Sequence, residues 1–150
     1  MAVLALDLGT KCGFAMWSDG TIVSGVQDFK PGRFESSAMR MVRFRGWLDQ
    51  MHAASQIRHV VYEEVRRHAG VTAAHTYGGF MNLLLEWCET HGPVPCEAYA
   101  VGSIKKFWTG NGAASKEMMI AEAKRRGFSP ADDNEADALA LLHMATGSVM

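Results

Sequence analysis

Residues 5–15 read ALDLGTKCGFA, an acid followed by a glycine-rich return inside an otherwise apolar run. We predict that Val3–Leu8 forms a buried strand, because apolar residues run on both sides of Asp7. A carboxylate inside a core strand is costly unless another group pairs with it. Gly9 and Gly13 bracket a turn, after which residues 14–17 form a second strand. This arrangement suits metal or phosphate chemistry at Asp7; the alternative is an ordinary surface acid at the end of a strand.

Length and composition favour one globular domain that spans residues 1–150. Hydrophobic residues make up 48% of the chain and its formal net charge is −1, so any nucleic-acid contact must come from a local basic patch. Cys12, Cys88 and Cys96 show no CxxC spacing, which is typical of reduced thiols in an intracellular protein. The first residues lack the basic region of a signal peptide, and no uncharged apolar run approaches about 18 residues, so we expect no membrane span.

The rest of the chain alternates between strand and helix patterns. The Asp-Gly pair within residues 18–21 predicts a hairpin turn, after which Ile22–Phe29 forms a third strand. The remaining predicted elements are a helix over Glu35–Gln56, a strand over His59–Val65, a helix over Thr72–His91, a strand over Pro95–Val101, a short helix over Ile104–Trp108, a helix over Ser115–Arg126 and a helix from Asp132 to about Ala145. This order predicts an α/β fold with a mixed five-stranded sheet, three antiparallel strands followed by two parallel ones, flanked by helices.

Acidic residues lie at the ends of several of these segments, where a sheet can bring them together. They are Asp7 on the first strand, Glu63 and Glu64 at the end of the fourth, and Asp132, Asp133, Glu135 and Asp137 at the start of the last helix. Carboxylates from separate segments make a hard-oxygen site suited to Mg²⁺ or Mn²⁺. Two such ions about 4 Å apart can activate a water and stabilise the leaving oxygen of a phosphodiester. Because neighbouring residues on a strand face opposite ways, only one of Glu63 and Glu64 can face Asp7.

Five short motifs resemble, in the same order, those of the RuvC-type Holliday junction resolvases, a branch of the RNase H-like nucleases. They are LDLG at 6–9 with Gly13, VYE at 61–63, SIK at 103–105, SK at 115–116 and EADALA at 135–140. In its shortness and divergence the chain is similar to the phage-encoded members. The resemblance implies an RNase H-like fold and a crossover junction endodeoxyribonuclease that uses Mg²⁺ or Mn²⁺, with two ions per active site. It also implies action in the cytoplasm of a bacterium or of a phage-infected host.

The same resemblance assigns roles to individual residues. Asp7, Glu63 and Asp137 would be the catalytic acids that bind metal. Lys105 and Lys116 are separated by 116 − 105 = 11 residues, as in the family. They would be catalytic basic residues that also bind DNA near the scissile phosphate. From the residues alone, Lys105 could equally be a lysine on a helix surface, and Lys116 could simply follow a helix N-cap.

Members of this family bind branched DNA as homodimers, and the long helix after the second acid forms the dimer contact. Such a contact would explain the apolar surplus at Phe80, Leu84 and Trp87, which exceeds what a single core contact needs. The loop after the fourth strand carries Arg66 and Arg67. These side chains are either ordinary solvated residues or phosphate contacts, and their position just beyond a catalytic strand favours DNA binding.

One position departs from the family pattern, because Asn134 stands where the family usually has an acid, three residues before Asp137. A helix advances about 100° per residue, so Asp133 and Asn134 both lie near the face of Asp137. Asp132 and Glu135 match a capping box that would begin the helix. Asp133 carries a full negative charge, whereas Asn134 offers a hard cation only a neutral oxygen. We therefore expect Asp133 to be a fourth catalytic, metal-binding acid, directly or through water, with Asn134 as the weaker alternative.

Three other functions can be considered from the sequence. The DLGT start is also typical of actin-like ATPases and sugar kinases, but their fold needs two similar halves, which 150 residues cannot supply. A nuclease that acts on precursors of ribosomal RNA shares the DLGTK start, although its usual form lacks the long apolar helix. If the asparagine at position 134, in place of the family's usual acid, makes the site inactive, the chain would bind junctions without cutting them.

Overall fold

The structure, a computed structural model, describes residues 1–147. Five strands and five helices occur in this part of the chain. In chain order they are β1 (Ala2–Asp7), β2 (Lys11–Ser18), β3 (Thr21–Asp28), α1 (Met39–Ser55), β4 (Ile57–Glu64), α2 (Val71–Thr90), β5 (Cys96–Ala100), α3 (Val101–Thr109), α4 (Lys116–Arg125) and α5 (Asp133–Thr146).

The five strands form one sheet in the order β3-β2-β1-β4-β5. β1, β2 and β3 are antiparallel neighbours, whereas β4 and β5 run parallel to β1, which confirms the predicted mixed sheet. The turn between β2 and β3 places Asp19 and Gly20 at positive φ, 49° and 84°, as a two-residue Asp-Gly hairpin turn requires. The carboxyl ends of β1, β3, β4 and β5 consequently lie at the same end of the sheet, which we call the carboxyl edge.

Alternate residues of the central strands pack on opposite faces of the sheet. Leu6 and Tyr62 belong to the core shared with α1 and α2, whereas Ala5 and Val61 belong to the core shared with α3, α4 and α5. The buried residues of α5 are mostly alanines and leucines, including the whole of 138–142. Alanine side chains are short, so α5 can lie close against β1 and β2, and its first turn lies near the end of β1.

The helix boundaries differ from the predicted ones in two places. α1 begins at Met39 instead of Glu35, because Glu35 is a loop acid whose two oxygens each accept a 2.7 Å hydrogen bond from Arg43. α3 begins one turn earlier than Ile104, since the helix pattern of apolar residues extends back to Val101. The other predicted boundaries differ from the observed ones by three residues or fewer.

The apolar side chains of α2 pack inside the chain. Phe80, Leu84 and Trp87 are fully buried, so the prediction that they form a surplus surface for a partner is wrong. Phe80 packs edge-on against Phe44 of α1, with ring centroids 5.1 Å apart. The indole N–H of Trp87 donates to Asp49 of α1 at 2.9 Å. Because α2 packs against both α1 and the sheet, it needs an apolar face wider than a single contact requires.

Two further expectations concern the state of the cysteine thiols and the presence of a membrane span. Cys12 and Cys88 are buried free thiols, and Cys96 is a half-buried free thiol. Within residues 1–147, every helix is too short or too polar to cross a membrane.

Candidate metal centre

Asp7 and Glu63 lie side by side at the carboxyl edge because β1 and β4 are parallel neighbours. Ala5 pairs with Val61 in their register, and both pack on the α5 face of the sheet. Side chains alternate along a strand, so Asp7 and Glu63, each two residues further on, project from that same face. Glu64 consequently projects from the opposite face and cannot join Asp7.

The third acid, Asp137, is positioned by the anchored start of α5. Asp132 is the N-cap, as predicted, and its Oδ1 accepts the N–H of Glu135 at 2.9 Å. Glu135 is only 6% exposed, and its carboxylate accepts hydrogen bonds from the Ser24 hydroxyl at 2.7 Å and the N–H of Ala131 at 2.8 Å. The second half of the predicted capping box is therefore wrong, because Glu135 reaches one residue further back than Asp132. Its bond to Ser24 ties the first turn of α5 to β3.

Gly13 allows α5 to approach Asp7 closely. It is buried on β2 and pairs directly with Asp7. A Cβ atom at this position would lie 1.9 Å from the carbonyl oxygen of Asn134 and 2.2 Å from its carbonyl carbon. Real Cβ atoms essentially never come within 3.0 Å of a neighbour, so the helix backbone can lie here only against a residue without a side chain. Asp137 is about one turn further along the same helix.

Asp7, Glu63 and Asp137 form a compact cluster of hard oxygen donors. One carboxylate oxygen from each lies within 4.8 Å of the other two. Burial, followed by the charges of Glu63 and Asp137, raises the pKa of Asp7 well above its ordinary value. Burial also raises the pKa of Glu63, and burial together with the charge of Glu63 raises that of Asp137 to about 7. A divalent cation would relieve the repulsion among these carboxylates, so the donor set fits Mg²⁺ or Mn²⁺.

The raised pKa values make the cluster a cost to the metal-free fold. Below the ordinary pKa of 3.8, Asp137 is protonated in both the folded and the unfolded chain, so it adds no penalty. As the pH rises from 3.8 towards 7, the unfolded chain loses this proton more readily, and the stability of the metal-free protein falls. Cation binding should offset this loss, because it favours the charged carboxylates of the folded state.

Two lysines lie near the acids, in different surroundings. Lys105 of α3 is half-buried, and its charge lowers the pKa values of Glu63 and Asp137 against the larger effect of burial. Its neighbour Lys106 is exposed. The side chain of Lys116 is 78% exposed, and its Nζ lies 3.9 Å from the carboxylate of Asp133. The structure therefore brings Lys105 near Glu63 and Asp137, and Lys116 near Asp133.

Asp133 lies beside the cluster of Asp7, Glu63 and Asp137. Its charge raises the pKa values of all three acids, although it does not belong to the set whose oxygens lie within 4.8 Å of one another. The side-chain amide of Asn134 donates to the N-cap carboxylate of Asp132 at 3.2 Å. Asn134 is thus engaged at the helix cap, whereas the carboxylate of Asp133 faces the charged groups of the site.

The loop after β4 lies next to the acids. Arg66 is 81% exposed and donates to Glu64 at 2.9 Å. Arg66 and Arg67 line, together with Glu63, a cavity of about 580 Å³ that continues to residues 100–102 where α3 begins. Exposed ion pairs contribute little free energy, so Arg66 can exchange Glu64 for another anion at low cost.

Tyr77 supports the backbone that carries Glu63, a role that was not predicted from the sequence. Its hydroxyl donates to the carbonyl of Glu63 at 2.7 Å and accepts the N–H of Val65 at 3.2 Å. The two bonds hold the strand on both sides of Glu64. A tyrosine within an apolar helix carries no sequence signal for such a contact, and Ser24, which anchors α5, carries none either.

The chain was compared with protein-family models and with curated proteins. No protein-family model matches it. The crossover junction endodeoxyribonuclease RuvC of Anaeromyxobacter dehalogenans strain 2CP-1 is 30% identical over 146 residues, which covers 94% of this chain and 78% of that protein. The RuvC of Anaeromyxobacter sp. strain Fw109-5 is 30% identical over 148 residues, covering 94% of this chain and 70% of that protein.

Solved structures share the fold at lower identity. Thermus thermophilus RuvC in complex with a Holliday junction substrate superimposes with a TM-score of 0.77 at 22% identity, covering 94% of this chain and 90% of that one. The yeast mitochondrial Holliday junction resolvase Ydc2 gives a TM-score of 0.64 at 13% identity, covering 93% and 75%. These likenesses confirm the predicted RNase H-like fold. The sequence identity to curated RuvC proteins over nearly the whole length shows that the chain belongs to the RuvC family of crossover junction endodeoxyribonucleases.

Proposed function

We propose that this chain is a metal-dependent endonuclease that hydrolyses phosphodiesters in branched DNA, with the four-way junction as its substrate. The observation that carries the proposal is the cluster of Asp7, Glu63 and Asp137, three largely buried carboxylates that repel one another and are only partly compensated by the nearby Lys105. Such a cluster destabilises the metal-free fold, so its presence at the carboxyl edge of a RuvC-family chain is best explained by catalysis.

The three acids would hold Mg²⁺ or Mn²⁺, with two ions per active site. When bound, such ions supply the positive charge that activates a water and stabilises the leaving oxygen of a phosphodiester. Asp133 would be the fourth acid, supported by its full charge and by its electrostatic effect on the other three acids. Its separation from the compact cluster favours a contact through water over direct ligation.

Lys105 and Lys116 would act on the DNA from two different positions near the acids. Lys105 is half-buried next to Glu63 and Asp137, where a fixed positive charge can hold the scissile phosphate and offset its developing negative charge. Lys116 is exposed and 3.9 Å from Asp133, so it suits a phosphate further along the strand.

The bound DNA strand would continue from the metal centre into the cavity beside Glu63. Arg66 and Arg67 line this cavity and would contact phosphates there. Their exposed guanidinium groups can bind phosphate in a bidentate fashion, which fixes the position of the strand without reading its sequence.

The active form would be a homodimer that pairs two copies through α2. The buried apolar residues of α2 cannot form this contact, so the outward face of the helix must do so. That face carries Val71, 70% exposed, and Leu85, 39% exposed, and between them Gly78, where an added Cβ would meet nothing within 4 Å. A symmetric dimer would present two metal centres to the two strands of a junction. Residues 1–150 would act as one nuclease domain in the cytoplasm of a bacterium or phage-infected cell.

The test is to incubate the wild-type protein with a labelled four-way junction, a linear duplex of the same sequence and a structured RNA, each with Mg²⁺ or with EDTA. We expect Mg²⁺-dependent cutting of the junction and little cutting of the other two substrates. Preferential cutting of the RNA would support the ribosomal RNA alternative. Binding of the junction without cutting in Mg²⁺ or Mn²⁺ would indicate a junction-binding protein and defeat the proposed activity.

A further inference from the structure

The loop between β3 and α1 presents an aromatic ring to solvent. Phe34 is 93% exposed, the highest exposure among the large apolar side chains of the described residues. The guanidinium carbon of Arg33 lies 5.4 Å from the centre of the Phe34 ring. Because so little of the Phe34 ring is removed from water, packing within the chain gains almost nothing from it, and the ring is open to a ligand.

Hydrogen bonds on both sides of Phe34 tie the residues of this loop to one another and to α1. Glu35 accepts two 2.7 Å hydrogen bonds from Arg43 and one from the N–H of Gly32. Arg43 also donates to the carbonyl of Lys30 at 3.3 Å, and the N–H of Lys30 donates to Asp28 at 2.8 Å. Phe34 is therefore displayed by an organised loop, and a ligand that stacks on it would not have to order the backbone.

The loop begins at the carboxyl edge, the same edge that carries the acids. β3 runs parallel to β1, and Asp28 at its end pairs with Lys11, two residues before Gly13 and its partner Asp7. Two strand spacings and two residues of rise place the Cα atom of Asp28 roughly 12 Å from that of Asp7. A nucleic-acid strand rises about 3.4 Å per residue, so the start of the loop at Asp28 lies within a few nucleotides of the metal centre.

The charge around Phe34 suits a polyanion. Residues 28–43 contain four basic residues, Lys30, Arg33, Arg40 and Arg43, and two acids, Asp28 and Glu35, which gives 4 − 2 = +2. Both acids are engaged within the loop, Asp28 with the backbone of Lys30 and Glu35 with Arg43. The combination of a free aromatic face with adjacent basic side chains is the one that proteins use for unpaired nucleotides.

We propose that Phe34 stacks on a base face exposed at the branch point of the DNA substrate, while Arg33 and Lys30 contact the flanking phosphates. This inference rests on the proposed function and deepens it, because it names a structural element that tells a branched substrate from a linear duplex. A four-way junction exposes base faces where its strands exchange, whereas a continuous duplex hides them within the stack.

The test compares Phe34→Ala, Phe34→Trp and the control Val23→Ala, which removes an exposed apolar side chain at the opposite end of β3. Each variant binds a four-way junction and a linear duplex of equal length, with Ca²⁺ in place of Mg²⁺ so that hydrolysis is suppressed. Phe34→Ala should weaken junction binding by about tenfold, with duplex affinity unchanged, since stacking on an aromatic side chain contributes at this level per base. Phe34→Trp should retain or increase junction affinity, and Val23→Ala should match the wild type.

Equal affinities for Phe34→Ala and the wild type on the junction would overturn the proposal. Equal weakening on junction and duplex would also overturn it, because that result indicates a general contact. A change in sedimentation instead of binding would show that a second copy of the chain covers Phe34. If the wild type fails to cut the junction but Phe34→Ala still loses junction-specific binding, the proposed activity is wrong and the stacking site stands.

Discussion

Gly13→Ala should disable the metal centre without touching a carboxylate. The added Cβ would lie 1.9 Å from the carbonyl oxygen of Asn134, 2.2 Å from its carbonyl carbon and 2.8 Å from the nitrogen of Glu135. All three atoms are helix backbone, so no flexible side chain can move aside. To restore even a 3.0 Å contact with the oxygen, the start of α5 must move away from β2 by at least about 1.1 Å.

This displacement is large compared with what a metal site tolerates. Metal–ligand distances must hold to within about 0.2 Å. Asp137 is one helical turn from Asn134 and moves with it, whereas Asp7 and Glu63 remain on the sheet. A misplacement of about 1 Å can cost roughly 100-fold in rate, and the overpacking should cost about 1–3 kcal/mol of folding free energy.

The assay measures junction cleavage against Mg²⁺ concentration, with thermal unfolding as the check on folding. Gly13→Ala should need more Mg²⁺ and cut roughly 100-fold more slowly at saturation, while it still folds. Gly46→Ala is the matched control, because a Cβ on that glycine of α1 meets nothing within 4 Å. It should cut normally and gain up to about 1 kcal/mol of stability. A folded Gly13→Ala with the Mg²⁺ requirement and rate of the wild type would show that the close approach of α5 to β2 does not set the geometry of the acids.

Three further sets of variants test the roles proposed for the fourth acid, the two lysines and the dimer contact. Asp133→Asn should raise the Mg²⁺ concentration needed for cleavage, whereas Asp132→Ala, which removes the N-cap, should mainly lower stability by about 0.5–2 kcal/mol; the opposite pattern would exclude Asp133. Lys105→Ala and Lys116→Ala should each reduce the slope of log K against log salt by about one. An unchanged slope with lost cleavage would assign that lysine to the reaction and not to binding. Leu85→Glu should yield monomers in sedimentation, and a wild type that is monomeric at micromolar concentration would contradict the dimer.

The sheet was predictable because its signals are local. The Asp-Gly turn fixes the first hairpin, and the apolar runs around Asp7 and Val61 mark central strands buried on both faces. The start of α1 was not predictable in the same way. Glu35 looks like a residue of the first helical turn, but its partner Arg43 is eight residues away, and their ion pair keeps Glu35 in the loop.

At the site, the sequence could identify which acids meet but not what holds them. Strand alternation shows that only one of Glu63 and Glu64 can face Asp7, and the resemblance selects Glu63 and Asp137. The contacts that set the geometry run between segments distant in the chain, such as Ser24 with Glu135. The approach of Gly13 to the backbone of α5 is equally long-range. No periodic pattern records such contacts, because they depend on how two elements lie against each other.

The wide apolar face of α2 led to an incorrect prediction of which residues form a dimer contact, and the reason is physical. Helical periodicity reports how wide an apolar face is, but it does not report what covers that face. In this chain α1 and the sheet both cover it, and Trp87 even finds a hydrogen-bond partner in Asp49 of α1. The exposed apolar residues of α2 are fewer and lie on the other side, at Val71 and Leu85.

The proposed function depends on Asp7 holding catalytic metal for the cleavage of branched DNA. Its most direct test is the rate of four-way junction cleavage in Mg²⁺ by Asp7→Asn, beside Asp19→Asn, which changes an exposed acid in the β2–β3 turn. Asp7→Asn should bind the junction like the wild type and cut it at least about 100-fold more slowly, because loss of a metal ligand should cost no less than loss of its supporting partners. Asp19→Asn should cut normally. Cleavage by Asp7→Asn within tenfold of the wild type, in Mg²⁺ and at equal binding, would contradict the account.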